Sequence, residues 1–277
     1  KALTVTGTTV PDKVYDGTTT TTLANGVLVG VVTSDLANVS LNQSGTFASA
    51  NAGTGVAVVA NDSLNLTASA VGNYTLVQPT TTTGNIIKAP LGITVTGVYS
   101  GAALAPTAFT TNGLVNNETI TALSSATTYS PNINAGSNYV TAITISGGTA
   151  SMNNYALSQA YNATAGNTQN TVTITPKIVT LSATKTYDGT LSGGLTGSAI
   201  TISGLVGNQT LNYSGAALND ANVGSNRYLT SITLSDGTNG GLASNYGLPN
   251  LTLANANNTA TIAPKTVALS ATKTYDG

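Results

Sequence analysis

Apolar and polar residues alternate along much of this chain. Ala2-Leu3-Thr4-Val5-Thr6 opens the pattern, and Asn73-Tyr74-Thr75-Leu76-Val77, Ile93-Thr94-Val95-Thr96 and Val179-Thr180-Leu181-Ser182 continue it. A period of two marks a strand with one buried and one exposed face. Residues 55–59, 83–88, 139–145, 171–175, 200–202, 228–234 and 261–263 carry the same signal. Residues 26–32 form a denser apolar run and are predicted as a buried strand. Residues 35–39, beginning at Asp35, are predicted either to form one helical turn or to continue into a strand. No stretch carries a sustained helical period. Short strands divided by Gly, Asn and Pro turns predict an all-β chain.

The turns themselves recur. Lys13-Val14-Tyr15-Asp16-Gly17 returns as Lys185-Thr186-Tyr187-Asp188-Gly189 and as Lys273-Thr274-Tyr275-Asp276-Gly277. A worn copy stands at Val98-Tyr99-Ser100-Gly101. The tyrosines at 15, 99, 187 and 275 lie 84, 88 and 88 residues apart. Two further landmarks keep the same order. One is an Asn-x-Gly turn at 51–53, 134–136 and 222–224; the other is Asn-Tyr-x-Leu at 73–76, 154–157 and 245–248. A fixed period signals an array of like units. It predicts three units, 1–90, 91–176 and 177–264, followed at 265–277 by the first strand of a fourth. The chain is therefore expected to be a piece of a longer array.

The predicted fold is a tandem array of small antiparallel β-sandwich-like domains forming an elongated rod. A sheet folded over one short helix, as in a β-grasp, is the alternative for each unit. Pro90, Pro176 and Pro264 stand at the junctions, between strands, with no glycine-serine linker around them. Proline fixes φ and removes a donor, so the junctions are expected to be short and stiff.

Composition narrows the chemistry. Only 6% of residues are charged, with 8 basic against 9 acidic. Nucleic-acid binding needs clustered Lys and Arg, so no nucleic-acid partner is expected. No apolar run is long enough to span a bilayer as a helix, so no membrane insertion is expected in this segment. The chain has neither Cys nor His. The commonest general base and the thiol nucleophile are missing, and neither disulfides nor cofactors are expected. A Thr-, Asn- and Gly-rich chain without thiols suits export before folding.

The remaining carboxylates are Asp12, Asp16, Asp35, Asp62, Glu118, Asp188, Asp220, Asp236 and Asp276. Only the Asp of Tyr-Asp-Gly recurs, and Ser100 replaces it in the second copy, which points to a turn rather than a general base. Asp12 with Asp16, and Asp236-Gly237, are the nearest to a calcium loop, but no run of alternating Asp residues accompanies them. The motif residues Tyr15, Asp16, Gly17, Tyr99, Gly101, Tyr187, Asp188, Gly189, Tyr275, Asp276 and Gly277 are read as structural. The tyrosine is expected to pack at the edge of a unit with its hydroxyl on a backbone group, and the preceding Lys to cap the turn. No catalytic, metal or ligand-binding residue is expected, and the chain is not expected to be an enzyme.

With Lys-Thr-Tyr-Asp-Gly-Thr at 185–190, Asn-Tyr-Gly-Leu-Pro at 245–249 and Thr-Ile-Ala-Pro-Lys at 261–265, the chain resembles the YDG/MBG-type repeats of large bacterial surface and secreted proteins. These include filamentous-haemagglutinin-like and related adhesins. The resemblance implies an extracellular or cell-surface location and a stalk that holds a binding region away from the cell. The expected partners are neighbouring repeats of the same chain. A module binding host or matrix glycans, or associating with like chains into a filament, is the alternative.

Overall fold

The protein is described from a computed structural model covering residues 1–80, 82–133, 138–157 and 170–277. Half of the chain is strand, and no helix of 7 or more residues occurs among the described residues. Helical structure among them is confined to single 3-10 turns such as Thr33–Asp35 and Ala243–Asn245. The all-β class follows from the period-two patterning. Ala2–Thr6 shows it directly, with Leu3 and Val5 buried between exposed neighbours.

The chain divides into two compact units: residues 1–95, 108–129 and 137–172, and residues 96–107, 130–136 and 173–277. The division runs through the predicted segment 91–176.

In the first unit, Ala2–Thr6 pairs antiparallel with Val27–Val29 and parallel with Thr75–Val77. A five-stranded sheet follows in the order Lys13–Val14, Thr82–Ile87, Gly53–Ala60, Gly45–Phe47, Thr20–Thr21. Two antiparallel pairs, Val39–Asn42 with Ser63–Leu66 and Ile120–Thr128 with Val140–Gly148, complete the set used here. Its largest buried cluster gathers Tyr15, Phe47, Val58, Ile86, Leu91, Ile120 and Tyr155 with smaller side chains. Leu3, Ala70 and Tyr74 form another.

In the second unit, Thr180–Thr186 is central. It lies antiparallel to Ile200–Ser203 and parallel to Asn258–Ala263, which in turn pairs with Gly224–Arg227. Leu181, Ala183 and Lys185 point inward at alternate positions. Leu211–Leu218 and Leu229–Asp236 form an antiparallel pair. Asn258 is fully buried, and its amide takes both backbone groups of Leu229: the N–H at 3.0 Å and the carbonyl at 2.9 Å. Asn170 does the same for Val140 in the first unit. A side-chain amide thus serves as a one-residue strand partner, which is how a buried polar group is tolerated.

Several expectations change. The sheets are mixed rather than purely antiparallel, because the opening strand runs beside a strand from the end of the same segment. A parallel neighbour must be reached by a long crossover, which local alternation does not report. The run at 26–32 holds only the short strand Val27–Val29, and both its valines are exposed. It is an edge strand, so only Leu28 faces inward. Pro90 lies inside the strand Ala89–Val98, opposite Ala156 in a parallel ladder. The donor there is the N–H of Ala89, to Asn154 O, so the missing donor of Pro90 costs that contact nothing. Pro176 separates the strands Asn170–Thr175 and Lys177–Ile178, and Pro264 follows Asn258–Ala263. Residues 265–277 form no strand, and Val267 and Leu269 are exposed. Their sequence nearly repeats 177–189, but Thr180–Thr186 is held by ladders on both sides and 265–277 has none. The turn predicted at Asn134-Ala135-Gly136 lies outside the described residues.

Candidate functional site

The recurring turn is built the same way at both full copies. In the first, Asp16 Oδ1 accepts the Thr18 N–H and hydroxyl, each at 2.8 Å. Lys13 Nζ bonds Asp16 Oδ1 at 2.9 Å and the carbonyls of Thr18 and Thr20 at 2.8 and 2.7 Å. In the second, Asp188 Oδ1 accepts the Thr190 N–H and hydroxyl, both at 2.9 Å, and Lys185 Nζ at 2.7 Å. Both are Asx turns closed by a lysine. Ser100 substitutes by donating to the carbonyls of Ala102 and Ala103. Lys273 and Asp276 pair at 3.2 Å in an exposed setting.

The turn fixes the tyrosine that precedes it. The N–H groups of Tyr15, Tyr99 and Tyr187 donate to the carbonyls of Ile87, Thr175 and Ala263. Two of these rings then meet a second tyrosine. In the first unit, Tyr15 meets Tyr155 edge to face, with centroids 5.5 Å apart at 82°. Both hydroxyls donate to Glu118, Tyr15 to Oε1 and Tyr155 to Oε2, the latter at 2.8 Å. The Val115 N–H donates to the Tyr155 hydroxyl at 3.1 Å. In the second unit, Tyr99 meets Tyr246 at 5.4 Å and 79°. Gln209 bridges them: its Nε2 donates to the Tyr99 hydroxyl at 2.9 Å, and its Oε1 accepts from Tyr246 at 2.6 Å. The Val206 N–H donates to the Tyr246 hydroxyl at 2.9 Å.

Asparagines lock each bracket from the side. Asn154 Oδ1 accepts the Ala52 N–H at 2.9 Å, and its Nδ2 donates to Asn51 Oδ1 at 3.0 Å. Asn245 treats Ile133 and Asn132 alike, at 3.0 and 2.8 Å. The motif glycines close the contact. Gly17 and Gly101 have φ of +77° and +71°, and a Cβ there would come within 2.6 Å of Asn116 and Val206 respectively. Each bracket therefore joins residues from two successive sequence segments. The tyrosine, glycine and Asn-x turn come from one segment; the Asn-Tyr pair and a Val-x-x-Glu/Gln loop come from the next.

Matching the model of the YDG domain, residues 1–83 and 167–253 account for more than half of the chain. The chain belongs to the YDG domain family. No curated protein and no solved structure matches it.

The titration of the groups in this YDG chain follows from their surroundings. Burial pushes the Tyr155 phenol up to about 12, and the adjoining Glu118 adds to it. Burial and then Glu118 raise Tyr15, and burial raises Tyr246. The Lys185 ammonium and the Thr190 N–H hold the Asp188 carboxyl at about 2. At Asp16 burial pushes upward, but the Lys13 and Thr18 hydrogen bonds outweigh it and leave the carboxyl below its ordinary value.

The sequence-predicted residues fall into two groups. Tyr15 and Tyr99 are buried at 4% and 3% exposure, whereas Tyr187 is 39% and Tyr275 91% exposed. The hydroxyls of Tyr15 and Tyr99 bond a carboxylate and an amide side chain, not the backbone group expected. Asp12 accepts from Asn85, and Asp236 accepts the Ala243 N–H. Among the described residues no three His, Cys, Asp or Glu converge as metal ligands. Sequence reasoning missed Asp35, Glu118 and Gln209. They end Val-x-x-Asp, Val-x-x-Glu and Val-x-x-Gln, 39, 37 and 37 residues before Tyr74, Tyr155 and Tyr246. That spacing is the signal that finds them.

Proposed function

We propose that this YDG-family chain is a structural spacer. It is read as three tandem repeats, 1–90, 91–176 and 177–264, forming part of the stalk of an extracellular bacterial adhesin or surface fibre. The observation that carries the reading is the repeated bracket. Two tyrosines, a carboxylate or amide and an asparagine clamp the end of one repeat to the start of the next, with no flexible linker between them. Buried aromatic pairs contribute about 0.5–1.5 kcal/mol beyond their area, and the hydrogen bonds they make add about 1 kcal/mol each. Such a joint resists bending and pulling and leaves no room for a substrate. The role is mechanical, and no catalysis is assigned.

Single-molecule pulling on the whole chain tests this. A joint that bears load releases at a reproducible force, and Tyr15→Ala and Tyr99→Ala lower that force. Unchanged force traces in both variants would sink the spacer reading.

A further inference from the structure

The two halves of the bracket also occur singly. In one place Tyr187 is 39% exposed and its hydroxyl makes no hydrogen bond among the described residues. A Cβ on Gly189 would meet only the Tyr187 hydroxyl, at 3.9 Å, where Gly17 and Gly101 are covered by another loop. Asn222 and Val223, the counterparts of Asn51 and Ala52, are exposed beside open solvent. This is the half that Tyr15 and Tyr99 supply.

In another place Tyr74 has what Tyr155 and Tyr246 have. It accepts the Val32 N–H at 3.2 Å and donates to Asp35 Oδ2 at 2.8 Å. No second tyrosine meets it, and Asn73, the counterpart of the buried Asn154 and Asn245, is exposed. This is the receiving half.

We propose that these halves bind each other between two copies of this chain, head to tail, by the bracket already formed twice within it. The proposal rests on reading the brackets as joints. Tyr187 donates to the Asp35 carboxylate and lies edge to face with Tyr74. The Asn73 amide takes the Val223 N–H and Asn222, giving up its present bond to Ser69 O at 2.7 Å. The partner is fixed by chemistry: each half presents the complement of the other and not of itself. The contact is therefore heterologous, and it extends rather than closes.

Between free copies the contact lacks the effective concentration that a covalent junction supplies, which is about millimolar for short connections. It is accordingly weak, and sedimentation equilibrium of the whole chain up to about 1 mM is the measurement. The weight-average mass should climb continuously past that of a dimer. Tyr187→Ala, at an exposed position that leaves folding intact, should weaken association by about tenfold or more, as expected for loss of an aromatic pair and a charge-assisted bond. Asp35→Asn should weaken it from the other face. Each variant alone should stay largely monomeric, while an equimolar mixture restores a single joint and stops at the dimer mass. A monomer throughout the range would overturn the proposal. So would a wild-type dimer that grows no further, or growth indifferent to Tyr187→Ala. The joint reading fails separately, if Tyr15→Ala leaves the stability of the chain unchanged.

Discussion

The Tyr15–Glu118–Tyr155 and Tyr99–Gln209–Tyr246 brackets have nearly the same shape and different chemistry. The rings stand 5.5 and 5.4 Å apart at 82° and 79°. Glu118 can only accept, so both tyrosines donate to it. Gln209 accepts from Tyr246 and donates to Tyr99, so one tyrosine reverses its role. A phenol hydroxyl both donates and accepts, so the ring geometry survives a change from carboxylate to amide. Packing of the two rings is the constant feature, and the bridging group adjusts to it.

The hardest test of that comparison removes a ring. Tyr155→Ala and Tyr246→Ala should each cost about 3–5 kcal/mol, the range for deleting a large buried aromatic, measured by denaturant unfolding. Near-equal losses would support shared packing as the main term. A loss confined to Tyr155→Ala would mean that the charged bridge dominates.

Removing hydroxyls alone separates the chemistries. Tyr15→Phe forfeits a bond to a charged group, worth about 1.5–3 kcal/mol, whereas Tyr99→Phe forfeits neutral bonds worth about 0.5–1.5 kcal/mol. The same melts read both, and the reverse order would break the assignment of charge to the first bracket.

Alkali should distinguish the brackets further. Tyr155 titrates at about 12 when folded against 10.0 ordinarily. The folded state therefore holds its proton where the unfolded chain has lost it. The contribution is complete below pH 10 and disappears as pH rises through about 12. Glu118→Gln should shift the Tyr155 titration downward while leaving it above 10, because burial is the larger cause. Ultraviolet difference titration follows the phenolate directly.

The smallest effect belongs to the turn. Asp188 titrates at about 2 against 3.8 ordinarily. Its stabilisation is present above the ordinary value and disappears as pH falls through about 2. Lys185→Met should flatten that acid limb of a stability–pH curve and move the Asp188 carboxyl signal upward by nuclear magnetic resonance. An unchanged carboxyl titration would remove Lys185 as the cause.

Much of the architecture was legible in order along the chain. Alternation at 2–6, 171–175 and 179–182 reported strands, because side chains on a pleated strand face opposite sides. Asp-Gly and Asn turns marked their ends, because those residues accept the backbone angles that turns require. Substitution of Ser100 for Asp correctly marked the motif as a turn, since a hydroxyl can also close one. Less visible was how exposed a strand would be. Val27–Val29 read as core and is an edge, because burial depends on what lies alongside and not on the run itself.

Partnership was settled only in three dimensions. Nothing near Tyr15 in the chain indicates Glu118, 103 residues away, or Tyr155 beyond it. Nothing near Asn258 indicates that its amide would serve Leu229. Local sequence sets backbone preference and the side on which each residue falls, because those depend on neighbours a few bonds away. Which tyrosine meets which carboxylate depends on parallel pairings closed across long loops. The Tyr-Asp-Gly turn was therefore readable as a turn from residues 13–18 alone, and its tyrosine became half of a joint only when the next segment folded against it.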